Sequence, residues 1–342
     1  MIIPTYNCAK TLPVCLESVL GQTYDRIEIT VVDDASTDRS AEIVGRYDCR
    51  LIVLPENRGP AVARNFGILA SQGDILFFLD ADVALAPDAV EKCVGILREH
   101  PEYAGVSGIY APEPLFDDGI VERYQSLHAH YWRIRNAGVV QAGYFSLGAL
   151  RRSTVEEVGL FDENLRANYN EDTEYGFRIG RRHQMLLTPE IVGRHDDDDR
   201  IRPLLRKYYR RVSSLVPLLV QARGQRGMRE AAHRPGEIVS APGLLATAAL
   251  PALFGAYFAA VPLAFCAIFL WLNRDMLNFV RRRAGMRFLP SFLAIHVLIN
   301  CTIAVAAGWG VLRWVFDRRF RRLYEQLDDA ADQADPRKEA VS

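Results

Sequence analysis

The sequence predicts an α/β fold with a mostly parallel sheet flanked by helices, followed by a C-terminal hydrophobic helical region. Three observations lead there. Two apolar runs, Ile29-Thr30-Val31-Val32 and Ile75-Leu76-Phe77-Phe78-Leu79, each end in a pair of aspartates, Asp33-Asp34 and Asp80-Ala81-Asp82. Runs this apolar read as strands buried on both faces, as in parallel α/β sheets. Strand and helix patterns alternate through residues 1–100, which is the mark of a doubly wound sheet. Residues 241–272 and 288–312 contain no Asp, Glu, Lys or Arg, and each exceeds the roughly 20 apolar residues that cross a bilayer.

The elements follow in order. Ile2-Ile3-Pro4 reads as the end of a first strand; strands usually need about five residues, so its natural beginning is expected upstream. Leu12, Leu16, Val19 and Leu20 recur at helical spacing, with Pro13 suited to a first turn. Strand two is expected at 27–32, a short helix at 37–46 and strand three at 50–54. Pro60 opens a helix whose apolar stripe is Val62, Phe66 and Leu69. Strand four spans 74–79, and Pro87 opens a helix with Val90, Val94 and Leu97 on one face. Beyond it come a strand at 106–110, an aromatic-rich helix at 119–136, a strand at 143–148, and a helix opening at Asn170-Glu171-Asp172.

Charge and cysteine content narrow the function. Forty-one Lys+Arg against 42 Asp+Glu give a net charge of −1, without the basic excess of a nucleic-acid binder. Six Cys lack metal-type spacing and read as free thiols of a reducing compartment. The opening residues show no secretory-signal pattern.

The acidic turns carry the chemistry. Ligand crevices in open α/β sheets lie at the carboxyl ends of the strands. Four carboxylates gathered there are costly unless a cation or hydroxyl donors lie between them. Pro4-Thr5-Tyr6-Asn7 offers backbone donors and an aromatic face beside Asp34, a pairing suited to a planar base, though an Asp-rich turn alone also serves as a helix cap. Asp80 and Asp82, two residues apart, suit a ribose hydroxyl and a hard divalent cation such as Mg²⁺ or Mn²⁺.

Pro4-Thr5-Tyr6-Asn7, Val32-Asp33-Asp34-Ala35-Ser36-Thr37-Asp38, Asn57-Arg58-Gly59 with Ala63-Arg64-Asn65, and Leu79-Asp80-Ala81-Asp82 resemble the ordered signature of family 2 glycosyltransferases. Gly159-Leu160-Phe161-Asp162-Glu163 followed by Asn170-Glu171-Asp172 resembles that family's acceptor-side signature. The resemblance covers roughly residues 1–200. It implies a GT-A fold over 1–200, with a nucleotide-binding half (1–100) and an acceptor half (101–200). It also implies a nucleotide-sugar donor, a divalent cation (Mn²⁺ or Mg²⁺) and inversion at the anomeric carbon. By the same resemblance Pro4, Tyr6, Asp34, Gly59 and Asp80 would hold the nucleotide, Asp34 the base and Asp80 the ribose. Asp82 would hold the metal, with His195 as a second ligand; a solvated His beside the acidic run 196–199 is the alternative. Asp172 would be the catalytic base, with Glu171 beside it shaping the acceptor pocket. Like-charge repulsion from Glu171 and Glu174 is expected to raise the pKa of Asp172.

Two departures matter. The Gln-X-X-Arg-Trp motif of processive polysaccharide synthases is absent, which favours single transfer. Arg151-Arg152 is expected to face solvent rather than a diphosphate. Two other readings remain at this stage. A metal-dependent nucleotidyltransferase would want paired glycines after strand one, where the chain has Tyr6-Asn7-Cys8-Ala9-Lys10. A non-catalytic nucleotide-sugar-binding membrane protein would have no use for Asp172.

The remaining segments are a basic amphipathic helical linker at 201–240, membrane-associated helices at 241–316, and a charged tail at 317–342 with a disordered end. Arginines lie before, between and after the two apolar stretches. The positive-inside rule asks for all of them on the cytoplasmic side with the catalytic domain. Two simple spans cannot satisfy that; a proline-broken hairpin at 241–272, or one span plus an interfacial segment, can. A transfer domain tied to a membrane suggests a lipid-linked or cell-surface glycan acceptor and a role in envelope glycan synthesis.

Overall fold

The computed structural model describes residues 1–140, 145–165, 170–221 and 234–324. β1 (Ile2–Thr5), α1 (Leu12–Leu20), β2 (Thr30–Asp33), α2 (Ser40–Val44), β3 (Arg50–Val53), α3 (Pro60–Ala70) and β4 (Ile75–Leu79) alternate as expected. β1 lies between β2 and β4, β3 lies outside β2, and all three pairings are parallel. β2 starts later than its apolar run because its partners start there: Thr30 faces Ile2 on one side and Arg50 on the other. Pro13 and Pro60 sit in the first turns of α1 and α3, where a missing N–H leaves no intrahelical bond unmade.

The second half departs from the sequence reading. β5 (Val83–Leu85), α4 (Ala89–Glu99), β6 (Tyr103–Tyr110), α5 (Ile120–Arg135), β7 (Gly138–Val140), β8 (Leu147–Arg151), α6 (Arg152–Val158), α7 (Glu171–Gly180) and β9 (Gln184–His195) complete the domain. The sheet order is β3-β2-β1-β4-β8-β6-β9-β5, with β7 on β9. β8 runs antiparallel to both β4 and β6, while β9 is parallel to β6 and antiparallel to β5 and β7. The parallel expectation therefore holds for the N-terminal half, and the rest is mixed. The strand expected at 143–148 begins only at Leu147; residues 143 and 144 lie outside the described residues.

Two local expectations are corrected. On α3, Phe66 and Leu69 are exposed, whereas Val62, Arg64, Asn65 and Ile68 are buried. The helix turns its small and polar side toward the sheet because Gly67 brings it against β1: a Cβ there would lie 2.3 Å from Ile2 Cγ2. Arg151 and Arg152 do not simply face solvent. Arg151 Nε donates to the Tyr103 carbonyl at 2.9 Å and Arg152 Nε to that of Gly73 at 2.8 Å, so they bind together the turns around β8.

The C-terminal region comprises α8 (Ile201–Gln221), α9 (Pro235–Thr247), α10 (Leu250–Phe254), α11 (Ala260–Leu272), α12 (Arg274–Ala284), α13 (Leu289–Phe316) and the short α14 (Arg318–Arg321). Pro235–Phe254 and Leu289–Phe316 are long and apolar enough to cross a membrane. Ala256–Leu272 joins α12 at a 66° bend and adds a third stretch if the bent pair counts as one. α9 and α11 pack antiparallel, Gly236 against Leu272 and Gly243 against Phe265. Of the expected linker, residues 222–233 lie outside the described residues, as do residues 325–342 of the tail.

Candidate active site

The carboxyl ends of β1, β2 and β4 share one edge of the sheet, and the loops that leave them are laced together. Asn7, at φ 53, and Ala35, at φ 58, adopt the left-handed conformation. Asn7 N donates to Ser36 Oγ at 2.9 Å, and Asn7 Oδ1 accepts from Thr37 N at 2.8 Å. Ala9 N donates to Asp38 Oδ2 at 3.0 Å. These bonds fix the Pro4–Asn7 turn against the Asp-rich turn and leave Tyr6 46% exposed at its rim. Lys10 reaches across to Asp196 at 3.0 Å and also pairs with Asp118.

Asp34 is buried, and its two oxygens accept from Arg58 N and Gly59 N, each at 2.7 Å. Gly59 has φ 92, a conformation that favours glycine. The aspartate thus shapes the 57–59 turn directly. Arg58 Nη2 continues to Glu163 at 3.0 Å, and Asn65 Nδ2 donates to the Phe161 carbonyl and to Glu163. The Gly159–Glu163 motif is thereby fastened to the α3 motif.

Arg64 is the centre of the arrangement. Its buried guanidinium lies 3.0 Å from Asp80 Oδ1 and 3.1 Å from Glu171 Oε1. One cation therefore joins Asp80, at the end of β4, to Glu171, in the first turn of α7. Burial pushes the Asp80 carboxyl up in pKa, opposed by Arg64. Burial and the neighbouring Asp172 likewise raise Glu171.

Asp172 shows the opposite behaviour and corrects the sequence expectation. Burial disfavours its charge, but Arg211, 2.6 Å away on α8, and then Arg64 outweigh that and hold its pKa below the usual carboxylate range. Glu174 exerts no upward push there, because it is turned away into an ion pair with Arg178 at 2.6 Å. Asp172 is therefore ionised near neutrality, and its side chain is 26% exposed, so an incoming group can reach it.

Asp82 and His195 also come together. His195 Nε2 lies 3.5 Å from Asp82 Oδ1, its Nδ1 lies 3.0 Å from Asp197, and its ring stacks on Tyr110 at 4.6 Å. Among the described residues, Asp82 Oδ1 is buried without a hydrogen-bond partner. A carboxylate oxygen and an imidazole nitrogen facing each other in this way are a donor set that fits a divalent cation. Asp197, from the acidic run 196–199, is the partner that orients His195. Burial opposes protonation of His195, but Asp197 and Asp82 outweigh it and raise its pKa. Burial disfavours the charge of Asp82, but His195 and then Lys207 on α8 outweigh it and lower its pKa. Cys8 bounds the same space: burial, followed by Asp82, Asp80 and Asp38, pushes its thiol up to about 11.

All nine residues predicted for the site are thus placed on one edge of the sheet. Arg64, Arg211, Asp197 and Lys207 had no predicted role in it. Arg64 was visible as a charge inside an apolar helix; Arg211 and Lys207 were hidden in a basic run that reads as membrane-facing.

Residues 1–158 match the sequence model of the family described as Glycosyl transferase family 2. The putative glycosyltransferase EpsH of Bacillus subtilis is 31% identical over 190 residues, covering 52% of this chain and 54% of that protein. The UDP-Glc:alpha-D-GlcNAc-diphosphoundecaprenol beta-1,3-glucosyltransferase WfaP of Escherichia coli is 31% identical over 123 residues, covering 35% of this chain and 49% of that protein. The matches thus span about half the length of these curated relatives. Among solved structures, the mannosyltransferase PcManGT of Pyrobaculum calidifontis, in complex with GDP-Man and Mn²⁺, superposes with a TM-score of 0.55 at 22% identity. That match covers 93% of this chain and 86% of the other. The fold is a GT-A-like mixed α/β sheet with flanking helices.

Proposed function

Starting from residues 1–158 as a family 2 glycosyltransferase domain, we propose that the chain moves a sugar from a nucleotide-diphosphate donor to a hydroxyl of a lipid-linked or cell-surface glycan, with inversion. The observation that carries this reading is the Arg64 bridge, which puts Asp80 and the Glu171-Asp172 pair on facing sides of one crevice.

Tyr6 offers an exposed aromatic face for the base, and the Asp34-ordered turn at Arg58-Gly59 lies beside it. Asp80 is positioned for the ribose, with Arg64 holding its orientation. Asp82 and His195 would hold a divalent cation, which when bound would offset negative charge on the departing diphosphate. On the opposite side, ionised Asp172 takes the proton of the acceptor hydroxyl as that oxygen attacks the anomeric carbon. Attack from the face opposite the diphosphate inverts the centre in a single displacement. Glu171, held by Arg64, is a positioning residue for its neighbour and shapes the acceptor pocket.

The activity for which the Escherichia coli relative is named favours a sugar carried on a polyprenyl diphosphate as acceptor. The apolar C-terminal helices favour a membrane-bound acceptor as well. The arginine clusters beside them favour a cytoplasmic catalytic domain. The test uses the full chain in detergent with Mn²⁺ and a panel of UDP-, GDP- and dTDP-sugars, reading donor hydrolysis and thermal stabilisation. One donor is expected to stabilise the wild type and not Asp82→Ala; silence across the panel would overturn the reading.

A further inference from the structure

We infer that the chain enters its bilayer from one side only: the α9–α11 hairpin penetrates the hydrocarbon, and α13 lies lengthwise along the membrane surface instead of crossing it. The inference rests on the membrane reading above, not on sugar transfer.

With 28 residues, α13 is about 42 Å long, more than a hydrocarbon core of about 30 Å demands. Both of its ends are nevertheless fixed to the catalytic domain, the first directly and the second through α8. Near the start, the Phe292 ring lies 4.7 Å from that of Tyr124, and His296 Nδ1 is 2.8 Å from the Tyr124 hydroxyl. Tyr124 belongs to α5, whose His130 is hydrogen-bonded to the Tyr110 carbonyl of β6 at 2.7 Å. Near the end, Gly310 lies against α8, where a Cβ would come within 2.7 Å of the Ser213 carbonyl oxygen. Just beyond the helix, Tyr324 donates to the Ser214 carbonyl at 3.1 Å. Ser214 Oγ in turn accepts from Asn170, the residue before Glu171, at 2.7 Å. A charged, folded domain stays in water, so a helix with both ends fixed to it has both ends on one side.

The surface of α13 agrees. His296 and Asn300 face the protein and are fully buried, while Leu298, Val305, Trp309, Leu312 and Phe316 are exposed. Their spacings of seven, four, three and four place them in one stripe turned away from the protein, an apolar face left for lipid.

The hairpin supplies depth. Arg234 Nη1 donates to the Leu272 carbonyl at 3.0 Å, closing the base. Toward the apex, Leu253, Phe254 and Tyr257 are 70%, 64% and 99% exposed, and residues 238–273 carry no charge. Arg281, Arg282, Arg283 and Arg287 precede α13, and Arg318, Arg319, Arg321 and Arg322 follow it. A crossing α13 would divide these clusters between the two sides. A surface-lying α13 puts both against the anionic headgroups of one leaflet.

The experiment uses the full chain in vesicles of phosphatidylcholine and phosphatidylglycerol. Single cysteines, Glu99→Cys in the catalytic domain, Arg282→Cys and Arg319→Cys, are labelled with a membrane-impermeant maleimide in a background lacking the six native cysteines. All three are expected to label to the same fraction in a preparation whose Glu99→Cys labelling departs from one half; complementary fractions at 282 and 319 overturn the inference. A bimane on Tyr257→Cys should be quenched by lipids brominated in the acyl chain; an unquenched probe overturns the hairpin. Should the cysteine-free background not fold, trypsin added outside wild-type vesicles should cut both arginine clusters in the same population, and protection of one cluster alone would sink the proposal. Failure of the chain to float with vesicles, together with self-association in buffer, would assign these apolar faces to a second copy instead. None of these readouts depends on sugar transfer.

Discussion

Arg211 Nη2 stands 2.6 Å from Asp172 Oδ2, so the carboxylate assigned to the acceptor's proton is held by a residue of α8, the helix against which α13 packs. Removing Arg211 removes the main influence keeping the Asp172 pKa low, while burial continues to push it up. The base must be ionised to act, so its pKa sets the acid limb of the rate profile. Arg211→Gln should move that limb of kcat to higher pH; an unmoved limb would show that Asp172 is not the titrating base.

Asp172→Asn leaves the shape of the crevice but removes the proton acceptor. General-base catalysis contributes roughly 10²–10⁴-fold, and a loss of kcat in that range is expected. Donor binding, followed by thermal shift, should stay near wild type. Equal losses in kcat and in donor binding would point to a structural role.

Arg64 serves two buried acids at once, at 3.0 and 3.1 Å. Deleting one partner from a buried ion pair typically costs about 3–5 kcal/mol, because the remaining charge is left uncompensated. Arg64→Met should therefore lower the unfolding midpoint strongly. Adding Glu171→Gln to Arg64→Met should recover part of the loss, a coupling that a double-mutant cycle measures.

The donor set at Asp82 and His195 predicts a metal response. Mn²⁺ should raise the melting temperature of the wild type in the presence of a nucleoside diphosphate. Asp82→Ala should abolish the rise, and His195→Ala should reduce it. Persistence of the full shift in Asp82→Ala would place the cation elsewhere.

His128 on α5 is buried, and burial, followed by His296, lowers its pKa to about 3. An ordinary His titrates near 6.5, so between these two values the unfolded chain binds the proton and the folded chain does not. Stability is therefore fully present above about pH 6.5 and falls as pH drops toward 3, by an amount on the order of a few kcal/mol. His128→Phe should flatten the acid limb of a plot of melting temperature against pH.

The parallel half was legible because its signals are local: apolar runs ending in aspartate at β2 and β4, and a proline in the first turn of α1 and of α3. β8 was misplaced and β5 and β7 went unseen because they are short and their partners lie far away in the chain. Leu147 pairs with Leu79 and Val139 with Leu186, and no periodicity within either segment records that. The acids of the site were legible by type and position, but their electrostatics were not. Whether Glu174 repels Asp172 or pairs with Arg178 depends on how α7 is rotated, and that depends on tertiary packing. Arg211 went unassigned within the basic amphipathic linker because a basic helix offers no local sign of which charges turn inward.

The close approach at Gly67 reaches further than packing. Arg64 is carried one helical turn before it on α3, and the length of its side chain is fixed. A methyl group at position 67 would lift that helix off Ile2 and draw the guanidinium away from one of its two acids. The spacing between the two halves of the site is thus gauged by a hydrogen atom on the face of α3 that meets the sheet, where no substrate ever comes.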